Sequence, residues 1–129
     1  MPKVSRTSAT GGQSAEGMVD DRSEELGGYL IGFTSFACDI DGAPLMRGLP
    51  ADQCQCPHWG YVFKGKIAYR FGDREETYEA GDAYYVPPGH VPLAFEGSEI
   101  LQFQPADEMA KTTEAMARNM QAVGAPPGA

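Results

Sequence analysis

Only two histidines, three cysteines and one tryptophan occur among the 129 residues, and the ten Lys and Arg are outnumbered by 18 Asp and Glu. The shortage of basic residues leaves a net charge of −8 and a surface that repels phosphate backbones, so nucleic acid is not an expected partner. The cysteines, Cys38, Cys54 and Cys56, are odd in number and too sparse for a disulfide scaffold, which fits free thiols in a reducing compartment. No run of about 18 apolar residues is present to span a membrane, and no apolar segment follows Lys3 and Arg6 as in a secretory leader. The expected location is therefore cytoplasmic, with no membrane partner.

Glycine (16) and proline (10) are plentiful, and 42% of the chain is hydrophobic, enough for one packed domain with many turns. Residues 1–25 are mostly small, polar or acidic and read as a flexible arm. Over 26–105, short apolar or alternating runs such as CQCPHWGYVF, KIAYRF and EILQF are cut by Gly, Pro and Asp every 8–12 residues or so, which predicts an all-β sandwich or barrel. Gly65 and Gly72 fall where tight hairpins require positive φ. In KIAYRF, Ile67, Tyr69 and Phe71 share the expected core face. Over 106–122, Met109, Thr113, Met116 and Met120 recur at helical spacing behind Asp107 and Glu108, predicting one C-terminal helix that packs on the β-domain. Residues 123–129 read as a frayed tail.

The densest reactive cluster is Cys54-Gln55-Cys56-Pro57-His58. In extended chain, alternate residues face one way, so Cys54, Cys56 and His58 are expected to project together. Thiolate and imidazole suit a divalent metal, zinc foremost, with iron or copper as alternatives. The other histidine, His90, follows the rigid Pro87-Pro88-Gly89 corner, which fixes the direction in which the next residue is aimed. The opposing reading is core packing, which is assigned to Cys38 in its apolar run. Lys64, Lys66, Arg70 and Arg74 cluster around one turn and read as a solvated face.

These residues carry a resemblance. Gly81, Pro87 and Gly89 in GDAYYVPPGH match the second motif of the cupin superfamily, and Tyr61-Val62-Phe63-Lys64-Gly65 matches the end of its first. The chain resembles small single-domain bacterial cupins with CPHWGYV and YYVPPGH signatures and altered metal-ligand motifs. The resemblance implies an antiparallel jelly-roll β-barrel, a homodimer paired through sheet edges, and a small organic molecule bound inside the barrel. The family's ligand types are displaced: its glutamate position holds His58, and its second-motif histidine position holds Pro92. Its two upstream histidine positions fall on Asp52 and Cys54, or on Ala51 and Gln53, according to the spacing taken. The expected site is thus a rearranged one built from His58, His90 and one or both of Cys54 and Cys56, with Tyr69 the candidate catalytic residue beside the substrate. Dioxygenase, isomerase and lyase chemistry all fit such a site. So do two rival readings: a non-enzymatic metal or ligand sensor, and a metal-free ligand pocket.

Overall fold

A computed structural model describes residues 2–122. The C-terminal tail expected over 123–129 lies outside the described residues. Ten strands run in chain order: β1 Ser14–Ala15, β2 Val19–Leu26, β3 Tyr29–Phe36, β4 Ile40–Asp41, β5 His58–Lys64, β6 Lys66–Phe71, β7 Arg74–Glu79, β8 Ala83–Val86, β9 Val91–Ala94 and β10 Glu99–Pro105. A single helix, α1, spans Ala106–Ala122, and two short 3₁₀ turns, Ala43–Met46 and Pro50–Asp52, bridge β4 and β5. No helix among the described residues is long and apolar enough to cross a membrane.

The strands form two antiparallel sheets, one ordered β1-β2-β3-β10-β5-β8 and the other β4-β9-β6-β7. Strands that are neighbours in space are mostly distant in sequence, as in a jelly roll. The expected closed barrel becomes a two-sheet sandwich, because no strand ladder joins the two sheets among the described residues. Gly65 explains one crossing. The sequence reading made it a hairpin turn, yet β5 belongs to the first sheet and β6 to the second, so Gly65 is a corner between sheets. Its φ of +68° suits glycine, and a Cβ there would stand 2.3 Å from the Ser98 hydroxyl that accepts the Lys66 N–H. Gly72, also at positive φ, does close a hairpin, between β6 and β7.

Residues 19–25 of the expected arm belong to β2, which pairs along its whole length with β3 from Val19↔Phe36 to Leu26↔Tyr29. Gly27 and Gly28, at φ +59° and +84°, make the two-residue turn that sets this register. The strand is polar because its outward side chains Asp20, Arg22 and Glu24 stay in water, while the main-chain ladder satisfies its backbone groups.

The core between the sheets holds Val62, Ile67, Tyr69, Tyr84, Val86 and Ile100, with Phe36, Phe71 and Tyr78 packed against it. A second cluster, Met46, Cys54, Cys56 and Val91, meets Met109 and Met116 of α1. The methionine stripe therefore docks α1 onto the sandwich. Asn119 fixes it there by donating Nδ2–H bonds to the carbonyls of Leu45 and Arg47, both at 2.8 Å.

Candidate metal centre

His58 opens β5 opposite Val86 of β8, and its side chain turns inward between the sheets. His90 lies just before β9, where an isolated bridge pairs it with Cys54. These three residues converge: the Cys54 Sγ and the ring nitrogens of His58 and His90 offer ligand atoms all within 4.8 Å of one another. Cys54 Sγ lies 3.7 Å from His58 Nε2, and the two imidazole centroids are 4.9 Å apart. All three residues are buried.

Hydrogen bonds determine which ring nitrogens are free. His58 Nδ1–H donates to Gln104 Oε1 at 2.7 Å, and His90 Nδ1–H donates to the Pro87 carbonyl at 2.8 Å. Each ring thereby presents an unprotonated Nε2, the arrangement in which a carbonyl-type acceptor orients a metal-ligating histidine. His90 Nε2 is fully buried and has no hydrogen-bond partner, an uncommon condition for a buried polar atom. Bond lengths of ~2.3 Å to sulfur and ~2.0–2.1 Å to nitrogen at tetrahedral to trigonal angles separate ligand atoms by about 3.5–3.8 Å. The 3.7 Å between Cys54 Sγ and His58 Nε2 falls inside that range. In type the donors suit a divalent metal, and the trio, whose atoms lie within 4.8 Å of one another, would have to draw closer to bind one.

The surroundings keep the cluster neutral. Burial first, and then the neighbouring His90, push the His58 pKa down to about 3, with the Gln104 hydrogen bond opposing. Burial lowers that of His90 against the pull of the Pro87 carbonyl. Burial raises the Cys54 thiol, partly offset by the Thr112 hydroxyl of α1 at 3.2 Å. A metal ion held there would have to displace the thiol proton, which would make its binding pH-dependent.

Cys56 does not join the cluster. Its Sγ contacts the carbonyls of Pro57 at 3.4 Å and Pro105 at 3.9 Å, and its thiol is pushed up to about 12, chiefly by burial. The shared face expected for Cys54, Cys56 and His58 requires one continuous strand, but β5 begins only at His58 and the chain before it is irregular. Cys38 lies apart, half-buried. Tyr69 is fully buried, its ring edge-on to His90 at a centroid distance of 5.2 Å, and its hydroxyl donates to Gln102 Oε1. Tyr84 donates to the same oxygen at 2.6 Å. Gln102 Nε2 in turn donates to Gln104 Oε1 at 3.2 Å, so a hydrogen-bond network links both tyrosines to His58, with Gln104 Oε1 accepting from both sides.

Sequence reasoning missed Gln102, Gln104 and Thr112. The first two carried a signal: alternate glutamines in EILQFQP, a strand apolar after Glu99 but for them, place two amides on its inward face.

The cluster stands in a cavity of about 440 Å³ between the sheets, walled on one side by Met109, Thr112 and Met116 of α1. No protein-family model matches the sequence, and no curated protein does either. Solved structures do match in fold. The chain is similar to the EutQ protein of Clostridium difficile, with a TM-score of 0.55 and 15% identity over 88% of this chain and 82% of that one. It is also similar to a cupin superfamily protein of Desulfitobacterium hafniense, with a TM-score of 0.53 and 16% identity over 72% and 82% of the two chains. The chain has the cupin fold. KdgF of Halomonas, at a TM-score of 0.50 and 17% identity over 72% and 84%, has the same architecture.

Within this cupin fold the displaced ligand positions acquire a geometry. Pro92, where the cupin motif has histidine, lines the cavity, and so does His90 two residues earlier. Two residues along extended chain is the spacing that preserves the side a residue faces.

Proposed function

We propose that this cupin binds one divalent metal ion through Cys54, His58 and His90 and acts on a small organic molecule in the adjoining cavity. The observation that carries the reading is the buried, unpartnered His90 Nε2 beside the Cys54 and His58 donors. One thiolate and two imidazoles without a carboxylate favour zinc over the harder ferrous ion. With three protein ligands a coordination position stays open, and the bound ion would supply Lewis acidity to a substrate oxygen, as isomerase or lyase chemistry uses.

The chain's own residues set what enters. Among the described residues no Lys or Arg lines the cavity, and its one carboxylate is Asp21, so an anionic group would have only the metal ion itself as counter-charge there. The volume matches sites for small molecules, roughly 300–1,000 Å³. Tyr69 and Tyr84 stay protonated, since burial raises both hydroxyls, and each spends its O–H on Gln102 rather than acting as a base; of the two, Tyr69 lines the cavity. Gln104 holds His58 in the tautomer that leaves Nε2 free.

Isothermal titration with Zn²⁺ and Fe²⁺, with metal analysis of the purified chain, tests the reading. One equivalent of zinc should bind wild type, while folded His58→Ala and Cys54→Ala variants should lose it. No metal uptake by wild type, or full occupancy in both variants, overturns the metal centre. The apolar lining favours a second reading, a metal-independent ligand pocket, which thermal stabilisation by metabolites but not by metals would establish.

A further inference from the structure

The carboxylate of the cavity comes from the polar strand β2. Along that strand Val19, Asp21 and Ser23 line the cavity, alternating with Asp20, Arg22 and Glu24 on the water side. On the water side charge is met by charge, Arg22 pairing with Asp20 at 3.2 Å. Asp21, partly buried on the other face, stands in no ion pair among the described residues. A carboxylate turned into a largely apolar space is as a rule matched there by a cation. This one faces only the space that a ligand would fill.

Two neighbours on β3 hold the carboxyl and keep room beside it. Thr34, its register partner, donates its hydroxyl to Asp21 Oδ1 at 2.8 Å. Gly32, two residues away on the same face, sits in the middle of a strand, where glycine weakens pairing and marks a close approach. Its φ is not in the left-handed region, so the backbone does not call for glycine. The space does: a Cβ at Gly32 would stand 3.0 Å from Asp21 Oδ1. Burial raises the Asp21 carboxyl above its ordinary value, against the Thr34 hydroxyl and the Gln13 main chain, and Asp20 adds to the rise. A carboxylate so placed gains from an arriving positive charge.

We propose that Asp21 is the recognition residue of the cavity and takes the protonated amine of a small organic ligand, an alkylammonium whose hydrocarbon part lies against the apolar lining. The proposal deepens the pocket reading above and rests on the cavity, not on the metal centre. A primary ammonium carries three N–H donors and a carboxylate about four acceptor positions, of which the Thr34 hydroxyl takes one. Hydrogen bonds between charged partners are roughly twice as strong as neutral ones, so the site favours an amine over an alcohol of the same skeleton. A carboxylate or phosphate at this end of the cavity would meet like charge.

The surroundings suit such a ligand. Val19 and Phe36, the next register pair on the same face, both line the cavity and give the carbon chain beside the nitrogen apolar and aromatic company. The net charge of −8 draws cations toward the protein. Three strand ladders separate β2 from β5, so at ~4.8 Å each the strand of Asp21 lies about 14 Å from that of His58. A ligand that reaches both ends is elongated, with its amine at one end and the group offered to Cys54, His58 and His90 at the other.

Isothermal titration of the full-length, chelator-treated chain at pH 7 with n-hexylammonium, 1-hexanol and hexanoate compares three head groups on one tail. The ammonium should bind about 10-fold or more tighter than the alcohol, and hexanoate weakest of the three. Asp21→Asn keeps an acceptor for the Thr34 hydroxyl and removes only the charge. It should bring the ammonium down to the level of the alcohol, a change that a purely structural contact between Asp21 and Thr34 would not cause. Gly32→Val, which crowds the carboxyl and keeps its charge, should weaken ammonium binding as well and serves should Asp21→Asn fail to keep its circular dichroism spectrum. Absence of binding by all three compounds, equal affinity for ammonium and alcohol in wild type, or an undiminished preference in a folded variant overturns the proposal. No metal is present in this titration, so its failure leaves the zinc reading standing, and failure of zinc to bind leaves the amine site standing.

Discussion

Cys54 and His90 are joined main chain to main chain: the Cys54 N–H donates to the His90 carbonyl at 2.8 Å, and the Cys54 carbonyl accepts from Gly89 N–H at 2.8 Å. The two side chains are therefore positioned by a backbone bridge that does not depend on their own chemistry. Substitutions at the cluster should test metal binding without dismantling the scaffold that presents it.

The role of Gln104 follows from its contact with His58. Gln104→Leu removes the acceptor of His58 Nδ1–H and frees the ring to take the other tautomer. Zinc affinity should fall about 10–100-fold, the usual cost of losing such an orienting partner. Gln104→Glu keeps an acceptor at the same place and should retain tight binding. Competition titration with a chromogenic chelator measures both, and equal affinity in wild type and Gln104→Leu would remove Gln104 from the centre.

Acid sensitivity should originate at the same rings. The ordinary histidine value is 6.5, while folded His58 lies at about 3 and folded His90 is also lowered. As pH falls below 6.5, the unfolded chain takes up protons at both rings while the folded, metal-free chain does not. Stability is thus fully present above pH 6.5 and declines down to about pH 3. Melting temperatures of chelator-treated protein across that window should drop steadily, and a His58→Gln variant should show a shallower drop. Identical slopes for the two proteins would contradict this account.

The wall of the cavity depends on Asn119. Asn119→Ala leaves the carbonyls of Leu45 and Arg47 without their donor and should destabilise the fold by about 1–3 kcal/mol. Urea unfolding with an unchanged slope checks the figure. A change under a few tenths of a kcal/mol would show that the methionine contacts alone hold α1.

Local periodicity determined much of this protein in advance. Alternating apolar runs punctuated by glycine and proline gave the antiparallel strands, and the methionine spacing gave α1 over 106–122. Two-residue parity is a short-range rule, and it held within strands: Ile67 and Tyr69 are both in the core. It failed across Cys54 to His58, where the chain is not one strand, and so it placed Cys56 wrongly beside His58. The polar β2 escaped notice because it is stabilised by its ladder with β3 and not by apolar side chains of its own.

The sequence by itself determined which groups were available: two imidazoles and a pair of thiols close by. Only the tertiary structure decided that Cys54, His58 and His90 meet and that Cys56 does not join them. The reason is physical. Strand pairing such as β5 with β10 and β8, and the bridge between Cys54 and His90, join segments far apart in the chain, and such contacts are selected by packing of the whole sandwich rather than by any local pattern.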